Sequence, residues 1–160
     1  MEKFIVAIDQ GTTSTRSILF DLKGNPVFKS QKEFKQFFPN NGWVEHDPEE
    51  IWGTTLKTLK EVIFKAKQKK GKILTIGITN QRETTILWNK KTGKPIYKAI
   101  VWQDRRTKDY CNKLIKLKKE KIILKKTGLP IDPYFSATKI KWILDNVKNA
   151  KKLMKNKNLL

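Results

Sequence analysis

A short polar turn between two apolar segments constrains the fold of this chain more than any other feature. Residues 4–8 (Phe-Ile-Val-Ala-Ile) are apolar and partly β-branched, which indicates a buried strand. Residues 15–21 predict a second strand, and the octet Asp9–Arg16 (Asp-Gln-Gly-Thr-Thr-Ser-Thr-Arg) connects the two and overlaps the start of the second. The octet is therefore predicted to contain a hairpin turn, because a P-loop would need a following helix and a Gly-Lys-Ser/Thr ending.

The residues of this turn are suited to binding phosphate. Gly11 allows a tight bend and lets a ligand approach the backbone closely. Thr12, Thr13 and Ser14 offer three hydroxyl groups and successive N–H donors to phosphate oxygens. Asp9, at the end of the strand, is placed to organise a hydrated Mg²⁺ beside those phosphates. The alternative is an ordinary polar β-turn, since Ser and Thr are common in hairpins.

The order of elements in the first half predicts an α/β fold. A turn leads from the second strand into a third at 26–34, which gives an antiparallel meander. Asp47 and Pro48 predict the start of an amphipathic helix, with Trp52 among its apolar residues. The apolar segment 73–79 predicts a central strand with both faces covered. Three strands in a meander, then helix and strand, is the order of a ribonuclease-H-like sheet.

The second half predicts shorter elements. They are two strands at 84–88 and 96–102, a helix at 104–118 and a briefer helix ending at Gly128. Ser136 is predicted to be the N-cap of a last helix whose apolar face continues to Met154. We expect residues 1–160 to form one domain.

The positive charge of the chain raises the question of nucleic-acid binding. The net charge is +20, from 35 basic and 15 acidic residues. Only four basic residues are arginine, the residue that binds phosphates and base edges through its bidentate fork. The lysines are spread over turns and helix faces, and no RNA-recognition, zinc-finger or helix-turn-helix signature accompanies them. We interpret them as a solvated surface without a specific nucleic-acid partner; a basic nucleic-acid-binding protein is the alternative.

The single cysteine, the single histidine and the apolar segments limit the chemistry and the cellular compartment that the sequence allows. Cys111 is the only cysteine, which excludes a disulfide framework and favours a small buried side chain. His46 is the only histidine, and we interpret it as a loop residue rather than a general base. No apolar run is long enough to span a membrane, and the early strand leaves no room for a signal peptide. A cytoplasmic protein is predicted.

Four motifs, in their order and spacing, resemble the N-terminal part of the FGGY carbohydrate kinase family, and within it the kinases that act on glycerol. They are the octet Asp9–Arg16, Gly-Trp-Val-Glu-His-Asp-Pro at 42–48, Asn-Gln-Arg-Glu-Thr-Thr at 80–85 and Ile-Asp-Pro-Tyr-Phe-Ser at 131–136. The resemblance runs from about Phe4 to the last residue. It implies the ribonuclease-H-like fold of actin and the Hsp70 ATPase domain, here as an N-terminal part whose C-terminal domain is missing.

The resemblance implies transfer of the γ-phosphoryl group of MgATP to glycerol, giving sn-glycerol 3-phosphate. Thr12, Thr13 and Ser14 would hold the phosphates of ATP or ADP, and Thr12 would also lie beside the substrate. Arg16 would support the nucleotide phosphates, and Asp9 would act on Mg²⁺ indirectly, through water. A homo-oligomer is expected for the full-length form.

The acceptor site is expected at the end of the strand predicted at 73–79, where open α/β sheets bind ligands. Arg82 and Glu83 follow this strand and can donate to and accept from polyol hydroxyls; a surface ion pair is the alternative. The resemblance assigns this pair to glycerol, Trp102 to an apolar wall beside its carbon atoms, and Tyr134 to a hydroxyl contact. For Trp102 and Tyr134 the alternative is packing alone.

The general base is expected to lie outside this sequence. In the family an Asp-Gln pair far downstream takes the hydroxyl proton, and the second phosphate loop and the adenosine-binding segment are also downstream. The chain alone is therefore expected to be inactive. The alternative function is a catalytically inactive polyol- or phosphate-binding fragment, or a pseudokinase subunit.

Overall fold

A computed structural model describes all residues from 1 to 160, and the chain forms two compact units. Unit 1 comprises Met1–Gln36 and Asp47–Gln81, and unit 2 comprises Phe37–His46 and Arg82–Leu160. One domain over the whole chain stays a prediction. None of the helices has the length and apolar composition needed to cross a membrane.

Seven strands and five α-helices make up the chain. In order they are β1 (Lys3–Gln10), β2 (Ser14–Asp21), β3 (Pro26–Glu33), β4 (Gln36–Phe37), β5 (Glu45–His46), α1 (Pro48–Gln68), β6 (Lys72–Thr79), β7 (Ala99–Ile100), α2 (Lys108–Lys116), α3 (Glu120–Thr127), α4 (Ser136–Asn146) and α5 (Ala150–Lys155).

Unit 1 is a four-stranded mixed sheet with strand order β3-β2-β1-β6. β1 and β2 pair antiparallel, as do β2 and β3, whereas β6 pairs parallel to β1. The hairpin register sets Asp9 opposite Arg16 and Gln10 opposite Thr15. The predicted meander followed by a helix and a further strand is confirmed, and with it the order of a ribonuclease-H-like sheet.

Helix α1 covers one face of this sheet. Phe4, Val6 and Ile8 are buried at every second position of β1, as the period of a strand requires, and they pack with Val62 and Ala66 of the helix. The helix begins as predicted: the Asp47 side chain accepts a hydrogen bond from the Glu49 N–H, and Pro48 follows it. These packed layers hold the β1–β2 turn in place.

The predicted burial of β6 is wrong for the chain as it stands. β6 is the edge strand of the sheet, and Ile78 is 73% exposed, with Leu74 and Ile76 also exposed. Trp52, one of the apolar residues predicted for the amphipathic helix α1, is likewise exposed. Apolar composition indicates that a segment favours burial, but it does not specify which neighbour covers it.

Unit 2 has little regular sheet. β4, β5 and β7 form a small sheet, and the predicted strands at 84–88 and 96–102 are reduced to β7 and isolated bridges such as that between Thr85 and Ile100. The helix predicted from residue 104 begins only at Lys108. Asp104 accounts for the delay, because its carboxylate accepts a hydrogen bond from the Arg106 N–H and forms a turn there.

The last predicted helix is divided into α4 and α5. The break runs from Val147, whose backbone is extended with a ψ of 126°, to Asn149, whose φ of +65° is left-handed, and neither conformation continues a helix. Ser136 is the first residue of α4 and Phe135 occupies the N-cap, so the predicted capping role of Ser136 is wrong. Its hydroxyl instead donates to the carboxylate of Glu83.

Candidate functional site

The β1–β2 turn in unit 1 is tight and tied to its surroundings. The Gly11 N–H donates to the Ser14 carbonyl at 3.0 Å, and a Cβ at Gly11 would lie only 3.1 Å from that oxygen. The Thr12 carbonyl accepts a hydrogen bond from the Gln36 amide at 2.9 Å, and the Thr13 carbonyl accepts one from the Phe34 N–H at 3.3 Å. The turn is therefore held by its carbonyl groups.

The three hydroxyl residues of the turn differ in accessibility. Ser14 is buried, and its Oγ accepts a hydrogen bond from the Gln31 amide at 3.1 Å. Thr13 is exposed, and its hydroxyl makes no hydrogen bond to the protein. Of the predicted phosphate-binding side chains, Thr13 is therefore the one that the fold presents most openly to a ligand.

Gln10 holds the turn to α1, a role that the sequence interpretation missed. Its Oε1 accepts hydrogen bonds from the hydroxyls of Thr15 (2.7 Å) and Thr55 (3.0 Å). Thr15 is completely buried and also contacts Thr54 at 3.0 Å between hydroxyl oxygens. The signal that could have found this cluster is the presence of three threonines, Thr54, Thr55 and Thr58, in the first half of α1.

Asp9 and Arg16 form an ion pair beside the turn. Arg16 Nη2 lies 2.9 Å from Asp9 Oδ2, and both side chains are partly exposed. No group of three or more histidine, cysteine, aspartate or glutamate side chains that could enclose a metal exists in the chain. A single carboxylate fits Mg²⁺ held through water, since this ion keeps several waters and takes other ligands from phosphate.

Glu83 in unit 2 has a constrained backbone and a fixed side chain. Its φ of +65° is left-handed, a conformation that costs a non-glycine residue about 1 kcal/mol or more. Its Oε2 accepts hydrogen bonds from the N–H and the hydroxyl of Ser136, both at 2.8 Å, and Oε1 has no protein partner. The carboxylate is thus oriented with one oxygen available to a ligand.

Arg82 makes no hydrogen bond or ion pair and is exposed. The alternative interpretation, a surface ion pair between Arg82 and Glu83, is therefore wrong. None of the guanidinium donors of Arg82 is used within the protein.

Trp102 and Tyr134 contact each other edge to face, with ring centroids 6.0 Å apart at an angle of 69°. The main-chain N–H of Trp102 donates a hydrogen bond to the hydroxyl of Thr84 at 3.3 Å. Thr84 follows Glu83 in the chain. The Nζ of Lys139 donates to the main-chain oxygens of both Glu83 and Tyr134. The structure thus brings three of the four predicted polyol residues of unit 2 into one cluster, with Arg82 adjacent in sequence.

A buried arginine supports the segment that follows Trp102. Arg106 has a fully buried side chain whose Nη2 lies 2.8 Å from both Glu45 Oε1 and Asp104 Oδ2. Its guanidinium carbon lies 3.8 Å from the ring centroid of Trp43 and 4.6 Å from that of Trp142. Burial opposes the charge of Arg106, but the hydrogen bonds to Asp104 and Glu45 outweigh it and raise its pKa.

Asp104 was given no role from the sequence, yet it is central to this network. Its Oδ2 also accepts a hydrogen bond from the Val44 N–H at 2.7 Å. The carboxylate therefore links the motif at 42–48 to the turn after Trp102. The signal in the sequence was the presence of two arginines, out of four in the chain, directly after an aspartate.

The family pattern described as "FGGY family of carbohydrate kinases, N-terminal domain" matches residues 4–159. Among curated relatives, the glycerol kinase of Paraburkholderia xenovorans (strain LB400) is 56% identical over 158 residues, which is 99% of this chain and 32% of the relative. The glycerol kinase of Marinomonas sp. (strain MWYL1) is 60% identical over 151 residues, 94% of this chain and 31% of the relative. The chain spans about a third of the length of these relatives.

Solved structures resemble this chain over most of its length. Plasmodium falciparum glycerol kinase with ADP superposes with a TM-score of 0.92 at 36% identity, covering 99% of this chain and 32% of that one. A ligand-bound xylulose kinase from Lactobacillus acidophilus has a TM-score of 0.79 at 29% identity, covering 93% and 29%. The predicted α/β fold of the ribonuclease-H, actin and Hsp70 type is confirmed by these likenesses.

Proposed function

The chain belongs to the FGGY family of carbohydrate kinases, and we propose that it is the N-terminal part of a kinase that phosphorylates glycerol with ATP. The product would be sn-glycerol 3-phosphate. Relatives named glycerol kinase support the choice of acceptor, and the relative solved with ADP supports the choice of nucleotide.

The observation that carries the proposal is that Glu83 and Arg82 have hydrogen-bonding groups that the protein does not use and that a polyol could bind. Glu83 has one carboxylate oxygen held by Ser136 and the other without a protein partner, and the guanidinium of Arg82 has all its donors available. A carboxylate accepts hydrogen bonds and a guanidinium donates them, so the pair can bind adjacent hydroxyls that act as donor and acceptor. The Trp102 and Tyr134 rings offer an apolar surface for the carbon atoms and one phenol for a third hydroxyl.

The nucleotide is assigned to the turn in unit 1. Thr12, Thr13 and Ser14 would bind phosphate oxygens, and Arg16 would add a positive charge. Asp9 would hold Mg²⁺ through water, and the ion would neutralise charge on the phosphates. Phosphoryl transfer depends mainly on positioning and charge stabilisation, which are the roles that these side chains can fill. The contact of Thr12 with the acceptor remains a prediction.

The remaining parts of the reaction are assigned to residues beyond 160. We propose that they supply the general base, as the resemblance implies, and that they cover the exposed apolar face of β6 at Leu74, Ile76 and Ile78. A cytoplasmic location and a homo-oligomeric full-length protein also remain predictions.

The test compares the 160-residue chain with a full-length protein of the relatives' size, using glycerol-dependent formation of ADP. We expect turnover from the full-length protein and none from the chain, because loss of a general base alone lowers rates by about 10²–10⁴-fold. Adding the downstream part as a separate polypeptide should restore activity. Robust turnover by the isolated chain would contradict the assignment of the base.

An inactive polyol- or phosphate-binding subunit is the second candidate function, and the exposed face of β6 is the observation that favours a partner. It predicts binding of glycerol or ADP by the full-length protein without turnover. Calorimetry with each ligand beside the activity assay separates the two candidates.

A further inference from the structure

Lys139, on the first turn of α4, is the one lysine of the chain whose side chain is fully buried. The other lysines are exposed or half-buried, as expected for a side chain that holds its charge in water. A buried ammonium group persists only where the surrounding polar groups compensate the water that it loses.

The partners of Lys139 are the two segments that carry the proposed polyol site. Nζ donates to the main-chain oxygen of Glu83 at 2.9 Å and to the main-chain oxygen of Tyr134. It also lies 5.9 Å from the centroid of the Tyr134 ring. One side chain thus joins residues that are about fifty positions apart in the sequence.

Glu83 is a residue that needs such support. Its left-handed backbone would relax toward an ordinary conformation if nothing held it. The carbonyl is held by Lys139, and the carboxylate is held by Ser136, three residues earlier on the same helix. The start of α4 therefore fixes both the main chain and the side chain of Glu83.

The electrostatic surroundings of Lys139 agree with this geometry. Burial lowers the pKa of Lys139 to about 8, and the negative charges of Glu83, Asp104 and Asp132 oppose that shift. The amine is therefore mainly protonated at neutral pH and can donate to both carbonyl groups.

We propose that Lys139 is a positioning residue of the acceptor site, which holds Glu83 and Tyr134 at the separation that binds a polyol. The inference rests on the proposed function, because it takes Glu83 and Tyr134 as polyol-binding residues. Lys139 does not touch the substrate; it acts through the main chain of these two residues.

The test uses Lys139→Met in the full-length protein. Methionine keeps an unbranched side chain of similar length and removes the charge and the donors. Lys141→Met is the matched control, since Lys141 lies on the same helix, is exposed and pairs with Asp145. We expect the KM for glycerol to rise by about 10- to 100-fold in Lys139→Met, because small displacements of positioning groups have effects of this size. The KM for MgATP should change little.

A second measurement follows the geometry without relying on activity. Hydrogen exchange of peptides that cover residues 80–86 and 130–138 should become faster in Lys139→Met, because the hydrogen bond from the Ser136 N–H to Glu83 is loosened. Peptides of α1 should not change. Lys141→Met should match the unsubstituted protein in both measurements.

The possible outcomes separate the inference from the proposed function. An unchanged KM for glycerol and unchanged exchange around Glu83 in Lys139→Met would overturn the inference, even if the variant were less stable or had a lower kcat. No glycerol turnover by the unsubstituted full-length protein would overturn the proposed function, while the exchange data would still decide whether Lys139 holds Glu83. If Lys139→Met does not fold, Lys139→Gln keeps an amide donor and is expected to fold with an intermediate KM; a normal KM and normal exchange there would contradict the inference.

Discussion

Glu83 Oε2 accepts two hydrogen bonds from Ser136, one from its N–H and one from its hydroxyl, each 2.8 Å long. The two residues are in separate sequence motifs, and the first helical turn of α4 brings them together. Hydrogen bonds to a charged acceptor are stronger than those between neutral groups, so this contact fixes the orientation of the carboxylate.

Ser136→Ala should weaken glycerol use without affecting ATP. The substitution removes the hydroxyl donor and leaves the N–H in place, so the carboxylate gains freedom but keeps one partner. A hydrogen bond to a charged group contributes about 1.5–3 kcal/mol, and we expect a loss of about 10- to 100-fold in kcat/KM for glycerol. Steady-state kinetics of the full-length protein measure this. Thr92→Ala, in an exposed turn, serves as the control, and equal losses for both substrates would contradict the expectation.

Arg82→Ala should damage glycerol use more severely and leave the fold intact. Arg82 has no partner in the protein, so its removal creates no unpaired group and should not change the thermal unfolding midpoint. Loss of a charge-assisted contact to the acceptor should raise the activation free energy of the reaction with glycerol by about 2–5 kcal/mol. The value of kcat/KM for glycerol should fall accordingly. ATP affinity should hardly change. A large fall in the unfolding midpoint would show instead that Arg82 is structural; Lys91→Ala is the control.

Thr13→Val should weaken binding of ATP and ADP. Valine keeps the shape of threonine and removes a hydroxyl that no protein group uses, so stability should be unaffected. The loss of one hydrogen bond to a charged phosphate should cost about 1.5–3 kcal/mol of binding free energy. Calorimetry on the full-length protein measures it. The double variant Lys118→Ala, Lys119→Ala tests the lysine-rich surface. A larger loss of nucleotide affinity in this variant than in Thr13→Val would contradict the assignment of the nucleotide to the turn.

Arg106→Met should be strongly destabilising. The substitution leaves the buried carboxylates of Asp104 and Glu45 without their cation, a change that typically costs about 3–5 kcal/mol. Lys141→Met removes an exposed pair with Asp145 and should cost less than about 1 kcal/mol. Urea unfolding of the full-length protein compares the two. Similar losses of unfolding free energy in the two variants would mean that the Arg106 network stabilises the fold no more than a surface ion pair does.

Stability should fall on acidification because of His46. The side chain is fully buried, and burial lowers the pKa of His46 from 6.5 to about 4. The unfolded chain therefore binds a proton between these values that the folded chain does not, so stability is full above about pH 6.5 and is lost as the pH falls toward 4. The expected loss from this group is about 2 kcal/mol between pH 7 and pH 5. His46→Gln should show a flatter profile in denaturant unfolding; an unchanged slope would exclude His46 as the cause.

Local sequence determined the features that depend on near neighbours in the chain. The apolar strand at 4–8, the glycine turn and the Asp47 cap were all predicted and are found, because the strand period, the bend and the cap each depend on residues only a few positions apart. The motif containing Arg82 and Glu83 was also recognised from local residues.

Only the tertiary structure decided which distant groups meet. Lys139 is one of many lysines in the sequence, and nothing near it in the chain indicates that it is buried against Glu83 and Tyr134. The same holds for Arg106 with Glu45, for Ser136 as a partner of Glu83 rather than a cap, and for β6 as an edge strand. A side chain becomes buried or exposed according to what the folded chain sets against it, and that depends on contacts between segments far apart in sequence, which local preferences do not specify.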